Sequence, residues 1–429
     1  MTIALIGFAA VLLFAFLRVP LGIALGAVGV VGFSELSNYR AGISSAARLV
    51  IDTGQSYSLS IVPLFIFMGL MVNKGGLATE LYRVSYAFLG HRQGGLAMST
   101  IVSCGLFSAI CGSSLATAAT MSKVAMPEMR RYRYKDSLAT ASIAAGGTLG
   151  ILIPPSVILV IYGLLTNVSI GKLFIAGILP GLIGILVYLG AIMFIVRRDP
   201  SAGPAGDRVG WSERNRAVWG VRMTVFLFVF VIGGIYVGVF TPTEAAGMGG
   251  AGATLIALMR GNLTWRILME VAQESTLMTA KLFVVVFGAL IFSNFMNRAG
   301  LPDILLNVAQ SWDFSPLSVI VAILLIYLIL GCVFESLSMI LLTVPVFAPL
   351  VEGLGFDLIW FGIIVVVATE ISLITPPIGM NVFVLKGVLG DVSVKTIFQG
   401  VTPFWIADIV RVVILVLFPG LALFLTKFM

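Results

Sequence analysis

Charge is the scarcest commodity in this chain. Of 429 residues, 26 are Lys or Arg and 19 are Asp or Glu, so 10% are charged against 59% that are hydrophobic. A soluble globular domain carries roughly a quarter of its residues as charges, and that class is excluded. Histidine occurs once, as His91 beside Arg92. It reads as a solvated loop residue, and no His-Glu-x-x-His zinc helix exists. The only hydrolytic arrangement left is a pairing of Ser113 with Lys123, which is disfavoured, so no catalytic residue is assigned. Three cysteines, Cys104, Cys111 and Cys332, all fall in apolar stretches. They read as small buried residues, without a disulfide framework or a transition-metal site. The basic residues have no stacking aromatics or folded basic domain beside them, which argues against a nucleic-acid partner.

What is present is apolar sequence in membrane-sized pieces. A spanning helix needs about 20 mostly apolar residues. Candidate spans are 3–17, 20–34, 55–72, 94–110, 137–163, 173–196, 222–240, 243–259, 280–297, 316–333, 358–386 and 404–426. The first lacks a basic leader and is read as a retained helix. Basic residues cluster at Lys123, Arg130, Arg131, Arg133 and Lys135, and again at Arg197, Arg198, Arg208, Arg214, Arg216 and Arg222. The positive-inside tendency puts both clusters in the cytoplasm.

The chain also repeats itself. Asn73-Lys74-Gly75-Gly76-Leu77 returns as Asn297-Arg298-Ala299-Gly300-Leu301, 224 residues on. Pro154 returns as Pro376 at 222, Val168-Ser169 as Val392-Ser393 at 224, Pro180 as Pro403 at 223, and Pro20 as Pro242 at 222. Two equivalent halves in an apolar chain are the mark of a secondary transporter. The stretch 123–135 holds five Lys or Arg; its counterpart 345–357 holds none, and carries Glu352 and Asp357. Opposite charge bias places the two on opposite membrane sides, so the repeat reads as inverted. The expected organisation is a first repeat at 1–196, a Pro-, Gly- and charge-rich cytoplasmic linker at 197–221, and a second repeat at 222–429. The mixed stretch 260–281 either lies flat at the membrane surface or extends a spanning helix; 40–58 is its counterpart.

Each half interrupts its apolar sequence twice. The first has Cys111-Gly112-Ser113-Ser114-Leu115-Ala116-Thr117 and Gly146-Gly147-Thr148-Leu149-Gly150-Ile151-Leu152-Ile153-Pro154-Pro155-Ser156. The second has Gly331-Cys332-Val333-Phe334-Glu335-Ser336-Leu337-Ser338 and Glu370-Ile371-Ser372-Leu373-Ile374-Thr375-Pro376-Pro377-Ile378-Gly379-Met380-Asn381. Proline has no N–H and disfavours helix in the residue before it. The freed carbonyls are tolerable at membrane depth only when buried in protein or lining a hydrated site. Together with Ser and Thr hydroxyls they suit a hard cation such as Na⁺, and half-helix N-termini suit an anion. Singly, each motif is equally a tight helix contact or a kink; four of them, paired across a repeat, favour a central site. Glu335 is read as a candidate ion ligand, Glu370 and Glu244 rather as partners of neighbouring helices, and Asp408 as structural. No Arg or Lys stands beside the four motifs in the sequence.

Three stretches resemble one family: 146–156, 168–181 (Val-Ser-Ile-Gly-Lys-Leu-Phe-Ile-Ala-Gly-Ile-Leu-Pro-Gly) and 374–384 (Ile-Thr-Pro-Pro-Ile-Gly-Met-Asn-Val-Phe-Val). They are similar to the large membrane subunit, DctM or SiaM type, of tripartite ATP-independent periplasmic (TRAP) transporters. The resemblance runs through nearly the whole chain. It implies an all-α polytopic membrane protein of the bacterial inner membrane, with an inverted repeat, two re-entrant hairpins and two broken helices, working as an elevator. It implies a small four-helix membrane subunit (DctQ or SiaQ type) and a two-lobed periplasmic binding protein (DctP or SiaP type) as partners, besides membrane lipid. The substrate would be an organic acid (a C4-dicarboxylate, sialic acid, 2-oxo acid or relative) and the coupling ion Na⁺, with no other cofactor. Carried onto this chain, Na⁺ falls to Gly112, Ser113, Ser114, Gly147 and Gly150, and to Gly331, Ser336, Ser372 and Thr375. Substrate falls to Thr117, Pro154, Pro155, Ser338, Pro376 and Asn381. A Na⁺- or proton-coupled anion transporter working alone fits the same residues. A channel does not, for want of a filter loop.

Overall fold

A computed structural model of the chain describes residues 2–311 and 313–429, with Ala109 and Ile110 described by their backbone alone. The described residues form twenty α-helices and no strand. The first half comprises α1 (Thr2–Phe16), α2 (Leu21–Leu36), α3 (Tyr39–Gly54), α4 (Ile61–Lys74), α5 (Leu77–Leu89), α6 (Gly95–Cys111), α7 (Ser114–Arg131), α8 (Asp136–Thr148), α9 (Val157–Thr166) and α10 (Ile170–Arg198). The second comprises α11 (Trp211–Tyr236), α12 (Pro242–Met259), α13 (Trp265–Arg298), α14 (Leu301–Ser311), α15 (Pro316–Leu330), α16 (Ser336–Gly353), α17 (Leu358–Ser372), α18 (Met380–Leu389), α19 (Val394–Leu417) and the single turn α20 (Gly420–Leu423).

Among the described residues, six helical segments are long and apolar enough to cross a membrane: 57–74, α10, α11, α13, α16 and α19. The other expected spans are shorter pieces. The stretch 137–163 divides into α8 and α9, and 358–386 into α17 and α18, because each proline pair ends one helix and Ser156 or Gly379 starts the next. The stretch 260–281 is no separate surface helix. It is the first half of α13, whose 34 residues extend about 51 Å at 1.5 Å per residue, well beyond the ~30 Å hydrocarbon core. Its counterpart in the first half stays divided, as α3 and α4.

Helix starts follow local capping chemistry. Asp357 accepts from the N–H groups of Ile359 and Trp360 at 2.7 and 3.1 Å and opens α17. Ser169 and Ser393, equivalent across the repeat, cap α10 and α19. Glu244 completes a capping box with Thr241 at the start of α12, so it serves its own helix and not a neighbouring one.

The two halves pack on each other reciprocally. The first-half helix α2 lies on α13, and its equivalent α12 lies on α4. Likewise α7 lies on α18 as α16 lies on α9, and α8 on α19 as α17 on α10. Contacts that recur with the partners exchanged are what a two-fold relation between halves produces. At the centre sit α8 and α17. Every residue from Leu138 to Thr148 is buried, and every residue from Trp360 to Ser372. Helices apolar and buried all round belong to the inside of a bundle.

Between the halves, the irregular chain at 203–210 is tied down. Gly94 N–H donates to Gly203 O at 2.8 Å, Lys135 N–H to Ala202 O at 3.1 Å, and Gly206 N–H to Gly90 O at 2.9 Å. Tyr132 donates to Asp207 at 2.5 Å, and that bond pushes the Tyr132 phenol above its usual range. The segment is thus strapped to the ends of α5 and α7 and the starts of α6 and α8.

Helices α2 and α13 approach closely, and a methyl group on Gly288 would lie 2.1 Å from the Gly22 carbonyl oxygen. Gly288→Val should force the two helices apart, cost at least about 1–3 kcal/mol, and lower the thermal unfolding midpoint in detergent. The same change at Gly247, where a methyl meets nothing within 4 Å, should leave the midpoint within about a degree or two.

Candidate functional site

Four helices begin inside the protein rather than at its ends: α7 at Ser114, α9 at Val157, α16 at Ser336 and α18 at Met380. A helix start leaves N–H groups without intrahelical partners and carries about half a positive charge. The loops before these starts pack against one another within each half. A methyl on Gly112, at the tip of the α6–α7 hairpin, would lie 3.3 Å from the Pro155 carbonyl. At the tip of the α15–α16 hairpin, the Cys332 thiol lies 3.7 Å from the Pro376 carbonyl. Both Pro–Pro bonds are cis.

The first cluster joins the first hairpin tip to the first break. A methyl on Gly150 would stand 3.1 Å from Ser108 Oγ and 3.3 Å from the Ser113 carbonyl, and one on Gly147 would stand 3.2 Å from the Ser114 carbonyl. The expected residues Gly112, Ser113, Ser114, Gly147 and Gly150 therefore do come together. Asn381 joins them from the other half: its amide donates to the Ala144 carbonyl at 3.0 Å and lies beside Gly147. Ser108 Oγ, Ser114 Oγ, Thr117 Oγ1 and Asn381 Oδ1 are all buried here without a hydrogen-bond partner. Such a set of unsatisfied oxygens is costly as it stands and is the donor chemistry a hard monovalent cation takes. Ser108 went unread in the sequence, because nothing along the chain separates it from Ser99, Thr100 and Ser103 of the same helix, which bond back to that helix's own carbonyls.

The second cluster is its counterpart. A methyl on Gly331 would lie 2.0 Å from Ser372 Cβ, so hairpin tip and break touch directly. Ser336 is buried at the start of α16. Two of the hydroxyls are already committed: Ser372 donates to the Thr369 carbonyl at 2.6 Å, and Thr375 to the Ile371 carbonyl at 2.6 Å while accepting from Trp405 Nε1 at 2.9 Å.

Both tips open onto one cavity of about 340 Å³. Ser113 and Ser114 line it from one hairpin and Glu335 and Ser336 from the other; α4 and α13 form the facing wall, with Lys281 among its residues. Lys281 has no ion-pair partner among the described residues. The sequence placed no basic residue beside the motifs; the fold brings one in from α13. Several residues expected to face substrate do not line this cavity. Thr117 and Ser338 lie a turn deeper in α7 and α16 and are buried, Ser338 bonded to Glu335 at 3.3 Å. Asn381 sits in the first cluster. Pro154 and Pro155 are buried, whereas Pro376 and Pro377 are exposed. A larger hollow of about 710 Å³ lies between Asp52, Asn167 and Thr241 and includes none of the four motifs.

Behind the breaks lies a second basic residue the sequence did not bring near them. Arg411 of α19 is fully buried and paired with Glu370 of α17, and its Nη2 lies 3.1 Å from Asp408 Oδ1. The Tyr188 hydroxyl of α10 lies 2.5 Å from Asp408 Oδ2 and 3.1 Å from Thr148 Oγ1, at the end of α8. Glu370 is thus a helix-to-helix partner, as its position suggested, and Asp408 belongs to the same network.

The family described as "Tripartite ATP-independent periplasmic transporter, DctM component" matches residues 8–421. The chain belongs to this family. Among its relatives, the C4-dicarboxylate TRAP transporter large permease protein DctM of Pseudomonas aeruginosa is 34% identical over 392 residues, covering 90% of each chain. The ectoine/5-hydroxyectoine TRAP transporter large permease protein UehC of Ruegeria pomeroyi is 35% identical over 414 residues, covering 95% of this chain and 94% of that one. In fold the chain is similar to the YdaH transporter of Alcanivorax borkumensis, with a TM-score of 0.65 at 15% identity over 96% of this chain and 98% of that one. This DctM-family chain is therefore a large TRAP permease, a multi-pass membrane protein of the bacterial inner membrane and not an enzyme.

Removing one partner of a buried ion pair leaves an uncompensated charge and costs about 3–5 kcal/mol. Arg411→Met, which strands Glu370, should lower the unfolding midpoint of the purified permease far more than Arg266→Met. Arg266 pairs with Glu270 at the surface, where an ion pair contributes about 0–1 kcal/mol.

Proposed function

We propose that this permease imports small organic acid anions together with Na⁺, by an elevator movement of the part that carries the hairpins and breaks. Substrate arrives from a two-lobed periplasmic binding protein, and a small four-helix membrane subunit widens the static part. The observation that carries the reading is the cavity shared by both hairpin tips. Two helix starts and the unpaired Lys281 turn positive charge into it, against the single acidic side chain of Glu335 at the second tip, and an unsatisfied oxygen cluster lies directly behind the first tip. The substrates named for the relatives above, C4-dicarboxylates and ectoines, carry carboxylates, as would sialic and 2-oxo acids. The relatives belong to tripartite systems, which favours delivery by a binding protein over a transporter acting alone.

In this mechanism one Na⁺ binds among the carbonyls and hydroxyls of Gly112, Ser113, Ser114, Gly147 and Gly150. A second binds near Gly331, Ser336, Ser372 and Thr375, where backbone carbonyls do most of the work because the Ser372 and Thr375 hydroxyls are engaged. The cations hold each tip against its break and so shape the anion site between the tips. The coupling is reciprocal: whatever factor Na⁺ adds to substrate affinity, substrate adds to Na⁺ affinity.

Uptake into proteoliposomes carrying the permease and its small subunit, with the binding protein outside, should require an inward Na⁺ gradient; undiminished uptake without Na⁺ sinks the assignment. Lys281→Met should raise KM for substrate by roughly 10-fold or more, the worth of one charge-assisted hydrogen bond, while the Na⁺ concentration giving half-maximal uptake moves little.

A further inference from the structure

We propose that the buried network behind the breaks is a proton-holding site, with the proton on Asp408. Two separate counts lead to it. The first is charge. Arg411 contributes one positive charge, Glu370 and Asp408 would contribute two negative ones, and all three side chains are fully buried. The remaining groups facing them are neutral: Tyr188 from α10 and Thr148 from α8. Of the other helices packed against α17, α15 and α9 carry only Tyr327 and Tyr162 as buried titratable groups, and these are bonded to Thr343 and to the Leu358 carbonyl. An isolated net charge in such a place is strongly disfavoured. One added proton makes the cluster neutral.

The second count is of hydrogens. Three oxygen–oxygen contacts follow one another: Ala145 O to Thr148 Oγ1 at 2.7 Å, Thr148 Oγ1 to Tyr188 OH at 3.1 Å, and Tyr188 OH to Asp408 Oδ2 at 2.5 Å. Thr148 and Tyr188 each own one hydrogen. With Asp408 ionised, two hydrogens must serve three contacts, and one contact sets lone pair against lone pair in a dry interior. A hydrogen on Asp408 Oδ2 completes the series: Asp408 donates to Tyr188, Tyr188 to Thr148, and Thr148 to the Ala145 carbonyl. Glu370 then stays ionised against Arg411, its nearer partner. Asp408 Oδ1 lies 3.1 Å from Arg411 Nη2 without a hydrogen bond to it.

The proton is thereby a structural ligand. It ties α19 through α10 to Thr148, the last residue of α8, directly before the 3-10 turn that opens the first break at Leu149. Asp408 is a positioning residue in this arrangement, acting on the break through Tyr188 and Thr148. Asparagine at 408 can reproduce it, since its amide N–H donates where the acid O–H did.

The test is infrared difference spectroscopy of the full chain in lipid nanodiscs at neutral pH. The wild type minus Asp408→Asn spectrum should contain the carbonyl stretch of one protonated carboxyl group. The wild type minus Glu370→Gln spectrum should show lost carboxylate bands instead, with the protonated band retained. Tyr188→Phe should shift that band, because its hydrogen-bond acceptor is gone; this reading survives even where a charge variant does not fold. Thermal unfolding should order the variants, with Asp408→Asn close to wild type and Glu370→Gln well below it. Absence of a protonated carboxyl band, its loss in Glu370→Gln rather than Asp408→Asn, or no shift in Tyr188→Phe would each overturn the proposal.

Discussion

The organising constraint is where a chain of this composition puts backbone that is not helical. Each proline pair removes N–H donors and strands carbonyls midway along what would otherwise be a spanning helix. In contact with lipid each stranded group costs several kcal/mol. Here both interruptions follow helices buried on every side, α8 and α17, and each interruption is met by the tip of a hairpin from its own half. The irregular backbone of the first break is therefore enclosed by protein, whereas the second is buried up to Ile374 and exposed from Pro376 to Ile378; in both, the meeting of tip and break concentrates carbonyl oxygens, hydroxyls and helix starts in a small volume. The site is a consequence of hairpin tips meeting the breaks.

The reciprocal packing explains how that enclosure is achieved with two modest halves. Each half covers only part of its own broken helix, α6 and α7 lying on α8 and α15 and α16 on α17, and the other half supplies the rest. The second arm of the first hairpin, α7, is covered by the second-half helix α18, and α16 by α9; α8 and α17 are braced by α19 and α10. Asn381 shows the consequence at the level of one side chain. It belongs to the second break, yet it bonds the Ala144 carbonyl and stands beside Gly147 in the first cluster. A change at one half's cluster therefore reaches the other through direct contact, the physical basis for coupling two cation sites to one substrate site in the proposed mechanism.

The charges that remain inside are few and each has a place. Lys281 faces the cavity between the tips, and Arg411 with Glu370 and Asp408 forms a buried group behind the breaks. Surface pairs such as Arg130 with Asp391 and Lys135 with Asp199 lie at the ends of helices, where the cation beside each aspartate holds it below the usual carboxylate range. Being exposed, they contribute little to stability.

Much of this was legible in the linear sequence, because it is written in periodicity and local rules. Apolar runs with almost no charge leave membrane helices as the only economical fold, and matching motifs 222–224 residues apart reveal the halves. Proline pairs and Gly-Ser clusters mark where helices stop, since those effects act within a few residues. What the sequence could not show was which distant residues meet. Lys281 and Arg411 are unremarkable along the chain, 54 residues before Glu335 and 41 after Glu370, and only helix packing delivers them to the cavity and the network. Packing likewise turned Thr117 and Ser338 away from the cavity and moved Asn381 across to the opposite half. The reason is that a break's location depends on local backbone chemistry, whereas the direction of a side chain and the charge that answers it depend on how two halves interlock.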